Sequence, residues 1–278
     1  MKKYQMKNQK GIFCSLCPHH CYLKKNDRGK CYARQNIDNN IELVQSFQYS
    51  HVAAEPIEKK PFVKYLKGSK TLSIGGLGCN FTCKYCENSS ISQECKIKTT
   101  KLSINKIIEY AKAYDCDSIC FTYNEPIIYY EDILLLSIEA HKNNLKIILK
   151  TNAYINKEPW KDICRVVDAI NIDIKGGKWE YKNICAVSNG HAIVKNRLLE
   201  ACNRNIHIEV NIPIYNWYKN INYFYKTFAE FNYIIKKYDI PVHLINLHSG
   251  KENINTNINI NKIECIYKNK ISHIDIVN

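Results

Sequence analysis

From about residue 70 onward, short apolar runs alternate with longer segments whose apolar residues recur at helical spacing. Thr71-Leu72-Ser73-Ile74 reads as a strand ending in Gly75-Gly76, and residues 118–122, 146–150, 169–174 and 206–212 read as four more. Pro241 introduces a sixth strand at 242–247. Helical patterns fill the intervals: 104–113 behind Ser103 as N-cap, 130–142, a segment with Pro159 in its first turn that reaches Val166, 193–203, and 221–238. Six βα-like units in series predict an α/β fold, a parallel sheet with helices outside that curls into a partial (β/α)6 barrel with right-handed crossovers. Residues 1–66 lack this rhythm and carry the Pro/Lys-rich link Glu55-Pro56-Ile57-Glu58-Lys59-Lys60-Pro61. The expected division is a Cys-rich annex at 1–66, the α/β domain at 67–250, and a polar tail at 251–278. An apolar alternation at 271–277 fits an edge strand in that tail, or partial disorder, and no internal repeat is present.

Composition narrows the class. At 278 residues, 45% hydrophobic and 24% charged, the chain is globular rather than disordered. No apolar run approaches the roughly 20 residues of a membrane helix, and the first residues lack the apolar stretch of a signal peptide. Both point to the cytoplasm, where clustered cysteines signal metal or redox chemistry rather than disulfides. The net charge of +14 changes less than its size suggests. Five of the 40 basic residues are Arg, and the Lys residues are scattered. A solvated Lys surface accounts for this better than a nucleic-acid face, which would favour Arg forks. An electropositive face for an acidic peptide is the sharper reading.

The 14 cysteines matter more. Cys14, Cys17, Cys21 and Cys31 form one group, and Cys79, Cys83 and Cys86 another. Cys95, Cys116, Cys120, Cys164, Cys185, Cys202 and Cys265 stand singly in apolar patterns and are expected as small buried hydrophobes. The second group, Gly78-Cys79-Asn80-Phe81-Thr82-Cys83-Lys84-Tyr85-Cys86, follows the first strand with spacing C-x3-C-x2-C. Three thiolates on one loop can hold three irons of a [4Fe–4S] cube and leave the fourth open to a small molecule. Loops at strand C-termini of parallel sheets are where ligands bind. Zinc competes, but structural zinc takes four protein ligands, and the nearest further cysteine is Cys95.

With this loop the chain resembles the radical S-adenosylmethionine (SAM) superfamily. From residue 14 to about 250 it is similar to the branch called the AmmeMemoRadiSam-system radical SAM enzymes, itself similar to the activating enzymes of glycyl-radical enzymes such as pyruvate formate-lyase. The matching motifs are the link at residues 55–61, Ser73-Ile74-Gly75, Gly78-Cys79-Asn80-Phe81, Phe121-Thr122-Tyr123-Asn124-Glu125-Pro126, Thr151-Asn152-Ala153-Tyr154-Ile155 and Asn171-Ile172-Asp173-Ile174-Lys175-Gly176. The resemblance implies that Cys79, Cys83 and Cys86 ligate the cluster and that SAM chelates the fourth iron through its amino and carboxylate groups. Reduction would then cleave SAM to methionine and a 5′-deoxyadenosyl radical that abstracts hydrogen from a substrate. It also implies Tyr85 near adenine, Lys175 at the SAM carboxylate, and His248, in Leu247-His248-Ser249, touching SAM. Glu125, just past a strand end, suits the SAM ammonium, with Asn124 and Asn152 beside it. Asp173 and Lys175 share one face and need each other or a ligand if buried. The chain departs from the family in three places: Tyr123-Asn124-Glu125 stands for Gly-Gly-Glu, Ile212-Pro213-Ile214 lacks the Gly of an Ile-Pro-Gly turn, and Lys150 replaces an acidic residue near a monovalent cation. The Lys150 ammonium is expected to replace that cation or to face solvent.

The first group, Cys14-Ser15-Leu16-Cys17-Pro18-His19-His20-Cys21 with Cys31 after nine intervening residues, supplies four thiolates, and Gly29 and Arg34 flank Cys31. Four ligands suit a closed site, either a second iron–sulfur cluster or zinc, with His19 or His20 able to stand in for one cysteine. Unmetallated thiols are the alternative. The resulting expectation is a radical SAM oxidoreductase of low-oxygen cytoplasm, activase-like, acting on a protein, peptide or small molecule. Its expected partner is a reductant such as flavodoxin or ferredoxin, with no membrane and no nucleic acid. The alternative is an iron–sulfur or zinc electron-transfer protein without SAM cleavage. Against it stands the coincidence of Glu125, Asn152, Asp173, Lys175 and His248 at successive strand ends.

Overall fold

An eight-stranded sheet organises the chain, and its strands lie side by side in sequence order. They are β1 (His51–Pro56), β2 (Lys70–Gly75), β3 (Ser118–Phe121), β4 (Lys146–Thr151), β5 (Ala169–Asp173), β6 (His207–Ile214), β7 (Val242–Asn246) and β8 (Ile274–Val277). The computed structural model describes residues 3–8, 10–214, 221–246 and 274–277. β2 through β8 pair in parallel, and β1 pairs antiparallel with β2. Helices α1 (Ile104–Ala113), α2 (Tyr130–Lys142), α3 (Lys157–Ile163), α4 (Lys178–Asn183), α5 (Gly190–Cys202) and α6 (Ile221–Lys237) fill the crossovers. Ser103 caps α1, its hydroxyl accepting the Lys106 N–H at 3.2 Å. α3 ends at Ile163 rather than at Val166, and α5 begins at Gly190 rather than at 193. Among the described residues no helix is long and apolar enough to cross a membrane.

Period-two alternation gives the sheet two different faces. Leu72, Ile74, Ile119, Phe121, Ile147, Leu149, Ile170 and Ile172 are buried in the main core with the helices. The alternate positions carry Ser73, Cys120, Ile148, Lys150, Asn171, Asp173, Glu209 and Asn211. At the strands' N-terminal ends this second face is sealed by the link that follows β1. Ile57 and Phe62 are wholly buried against Cys120, Ile148 and Ala169, each contributing roughly 1.5–3 kcal/mol.

Glu209 on β6 fastens that link. Its carboxylate accepts the backbone N–H groups of Val63, Lys64 and Tyr65 at 2.9–3.0 Å, together with ring nitrogens of His207 and His243. Burial alone would raise this carboxyl, but the His207 and His243 contacts hold it well below the usual carboxylate range. A segment leaving β1 thus reaches β6 five strands away, which requires the sheet to curl and matches the expected partial barrel.

The first 66 residues do not stand apart from this sheet, since β1 is drawn from them. Ahead of β1, strands Gln5–Asn8, Gly11–Cys14 and Tyr22–Leu23 form a small antiparallel sheet, and Arg34–Ile37 pairs with Asn40–Leu43. The two-residue turn Asp38-Asn39 has positive φ at both positions, as a tight hairpin requires. Arg34 docks this unit on α2 through a bidentate pair with Glu131 (3.1 and 2.5 Å).

Candidate active site

The cysteine loop leaves β2 through glycines that the neighbouring chain makes necessary. A Cβ at Gly75 would stand 2.7 Å from the Thr122 carbonyl, and one at Gly76 would stand 2.2 Å from the Tyr129 hydroxyl. Gly78 has φ +93°, and its Cβ would lie 2.0 Å from the Cys31 carbonyl. Asn124 braces the loop: its Nδ2 donates to Gly78 O (2.8 Å) and its Oδ1 accepts the Gly76 N–H (3.1 Å). Asn80 donates to Tyr154 O and accepts from Asn152 Nδ2, both at 2.8 Å. His19 contributes from the annex, its Nε2 lying 2.7 Å from Asn80 O, which calls for the Nε2–H tautomer.

This bracing turns Cys79, Cys83 and Cys86 into one cavity of about 380 Å³, shared with Glu125, Asp173 and Lys175. The Phe81 N–H points to Cys79 Sγ at 3.3 Å, and Ser92 Oγ lies 3.2 Å from Cys86 Sγ. Burial pushes the Cys79 and Cys86 thiols up. Cys83 moves the other way, because Cys185 donates to it and Lys175 lies near. Buried thiols with donors aimed at their sulfurs suit a metal that takes them as thiolates. Among the described residues no three His, Cys, Asp or Glu side chains close on the position of a single ion. A cube instead distributes its thiolates over separate irons, so the three thiols and the open cavity beside them fit a [4Fe–4S] cluster.

Glu125 stands on the opposite wall, 3% exposed. Its Oε1 accepts Thr151 Oγ1–H (2.5 Å) and the Ile127 N–H (3.2 Å), and its Oε2 accepts the Asn152 N–H (2.7 Å). A carboxylate offers about four acceptor sites, so room for one further donor remains on Oε2. Burial raises its pKa to about 7 although all three donors oppose the shift.

Asp173 closes the site at the end of β5. Lys175 Nζ donates to its Oδ2 (2.8 Å), Asn211 Nδ2 donates to its Oδ1 (2.8 Å), and Lys150 Nζ stands 4.0 Å from Oδ1. Burial would raise this carboxyl, but Lys175 and then Lys150 bring it to about 2. Burial also opposes the Lys175 charge, and Asp173 outweighs it, so the ammonium persists. The Lys175 Nζ lies 5.7 Å from the centre of the Tyr85 ring, which lines the same cavity.

The structure therefore gathers Cys79, Cys83, Cys86, Tyr85, Asn124, Glu125, Asn152, Asp173 and Lys175 around one space. His248 lies outside the described residues, as does the part of the Ile-Pro turn beyond Ile214. Four participants did not stand out in the sequence. Cys185 was expected only as core, yet its thiol meets Cys83. Thr151 and Asn211 supply hydrogen bonds to the two carboxylates, a role their strand-end positions alone could have suggested. Lys60 pairs with Glu55 at 2.6 Å and lies 4.2 Å above the Tyr123 ring on the cavity rim.

A model of the radical SAM superfamily matches residues 73–219, more than half of the chain. An uncharacterised protein of Methanocaldococcus jannaschii is 38% identical over 184 residues, covering 66% of this chain and 55% of its own. A second protein of that organism, whose name proposes it as a glycyl-radical enzyme activating enzyme, is 30% identical over 113 residues, 41% of this chain and 42% of its own. The chain thus spans about half the length of the curated relatives it matches. Among solved structures, Streptococcus suis SuiB bound to S-adenosylmethionine superposes with TM-score 0.56 at 12% identity, over 73% of this chain and 49% of that one.

Proposed function

The chain belongs to the radical SAM superfamily, whose chemistry rests on SAM and a [4Fe–4S] cluster, and from that premise we propose that it is an activase-like enzyme that generates a 5′-deoxyadenosyl radical and takes hydrogen from a protein, peptide or small-molecule substrate. The observation that carries this reading is the convergence of three thiols, a buried Glu with a spare acceptor site and a buried Asp–Lys pair on one cavity. Cys79, Cys83 and Cys86 would hold the cluster, which would supply the one-electron reduction that cleavage of the SAM S–C5′ bond requires.

The protein's share is binding and orientation. Glu125 accepts an N–H of the SAM amino group in a charge-assisted hydrogen bond. Lys175, held charged and aimed by Asp173, meets the SAM carboxylate, and Tyr85 gives adenine a face to pack on. Asn124 and Asn152 act one step back: the first braces the cysteine loop, and the second donates its N–H to Glu125 while its side chain holds Asn80. Lys150, on the far side of Asp173 from Lys175, takes the place of a bound monovalent cation. The chemistry suits a low-oxygen cytoplasm, with flavodoxin or ferredoxin as the one-electron donor.

The test is to give SAM to reduced, cluster-loaded protein and assay methionine and 5′-deoxyadenosine. Equal formation of the two is expected, and absence of the nucleoside overturns the reading.

A further inference from the structure

The annex carries a second thiol cluster that the barrel site does not use. Cys14 ends a strand, and its N–H donates to Cys21 O at 2.9 Å, which folds the 14–21 segment back on itself. A single point, where a Cβ on Gly29 would stand, is 3.7 Å from Cys31 Sγ and 3.8 Å from Cys21 Sγ. Cys17 lies within the electrostatic reach of the other three. Cys14 and Cys31 are 7% and 8% exposed.

Beside these thiols lies Arg34, 4% exposed and close to both Cys14 and Cys31. Its two terminal nitrogens engage Glu131, but its Nε–H is buried with no acceptor. A buried donor of this kind signals a missing acceptor. Four neutral thiols would not supply one of matching charge, whereas four metal-bound thiolates would.

We propose that Cys14, Cys17, Cys21 and Cys31 bind a second, fully protein-ligated [4Fe–4S] cluster, with the Arg34 Nε–H donating to one of its sulfurs. A cube gives each of the four thiolates its own iron, whereas zinc would draw all four onto one point. The Cys31 carbonyl packs directly on Gly78, next to Cys79, so the annex site and the barrel loop share a wall. Their ligands are distinct, so the two assignments fail separately.

Metal counting on the full chain tests this. After anaerobic reconstitution with iron and sulfide in the presence of zinc, wild type should hold roughly eight irons per chain and no zinc. The Cys79→Ala/Cys83→Ala/Cys86→Ala variant should keep about four irons and, once reduced, an electron paramagnetic resonance signal of its own. The Cys14→Ala/Cys17→Ala variant should also fall to about four; if it does not fold, the barrel triple variant still decides. One zinc, or no metal, in that triple variant overturns the proposal. Arg34→Gln should move the annex cluster to a more negative midpoint potential, because a nearby positive charge favours the reduced form, and Arg34→Lys should recover part of the shift. An unchanged potential in Arg34→Gln removes Arg34 from the site.

Discussion

Glu125→Gln separates the charge of this side chain from its shape. In the wild type, burial lifts the carboxyl to about 7 while Thr151, Asn152 and Ile127 donate to it. Only the anion can accept the SAM amino N–H without a proton to displace. Below the pKa the anion fraction falls tenfold per pH unit, which is about 1.4 kcal/mol. The affinity of cluster-loaded wild type for SAM should therefore drop about fivefold from pH 7 to pH 6, approach tenfold per unit below pH 6, and level off above pH 8. Bound SAM pulls the carboxyl down, which is the same linkage seen from the other partner. The Gln variant should show no such slope in this range. At pH 8 it should bind roughly 10- to 150-fold more weakly, the 1.5–3 kcal/mol of a charged hydrogen bond. Equilibrium SAM binding between pH 5.5 and 8.5 reads both effects. A wild-type profile that is flat, or a Gln variant that keeps the slope, would refute the assignment of Glu125 to the SAM amino group.

Three further outcomes are expected. Glu209→Gln should destabilise the fold by about 3–5 kcal/mol, because it strips a buried anion from two histidines and three backbone N–H groups. Its folded pKa is depressed, so its contribution is present above the unfolded value near 4.3 and is lost as pH falls below that; denaturant unfolding at pH 7 and pH 3.5 should show the mutant–wild-type gap closing in acid. SAM cleavage by the purified enzyme should need no added sodium or potassium, and Lys150→Ala should create that need; a wild type that requires the ion, unaltered in the variant, would rule out Lys150 as its replacement. Gly78→Ala should cost cluster occupancy more than stability elsewhere, since its Cβ has no room against Cys31 and φ is +93°; iron retention equal to wild type would show that the loop can yield.

The residues that made the barrel legible are those in short buried runs or at helical spacing. Strands such as β3, buried along its whole length, appear as apolar runs, and α1 announces itself by Ser103 and its buried Ile107, Ile108 and Ala111. β1 sends no such signal, because none of its six residues is fully buried and its pairing with β2 rests on backbone hydrogen bonds. The site was readable where chemistry is local, as in the C-x3-C-x2-C loop and in Glu125, Asp173 and Lys175 at strand ends. Cys185 was not, because its meeting with Cys83 depends on a long-range contact in which the Lys84 N–H donates to the Ile184 carbonyl at 3.1 Å. Glu209 likewise reads as an ordinary strand carboxylate until the link at 63–65 folds onto it. The single cysteines did behave as hydrophobes in the main: Cys116, Cys120 and Cys164 are buried among apolar neighbours.

The central claim is that Cys79, Cys83 and Cys86 hold the cluster at which SAM is cleaved. Wild type and Cys83→Ala, each reconstituted anaerobically and reduced with dithionite, should be compared for 5′-deoxyadenosine released from SAM. The account predicts nucleoside from wild type and none from Cys83→Ala. Nucleoside from the variant at the wild-type rate, or none from a wild type with its iron in place, would contradict it.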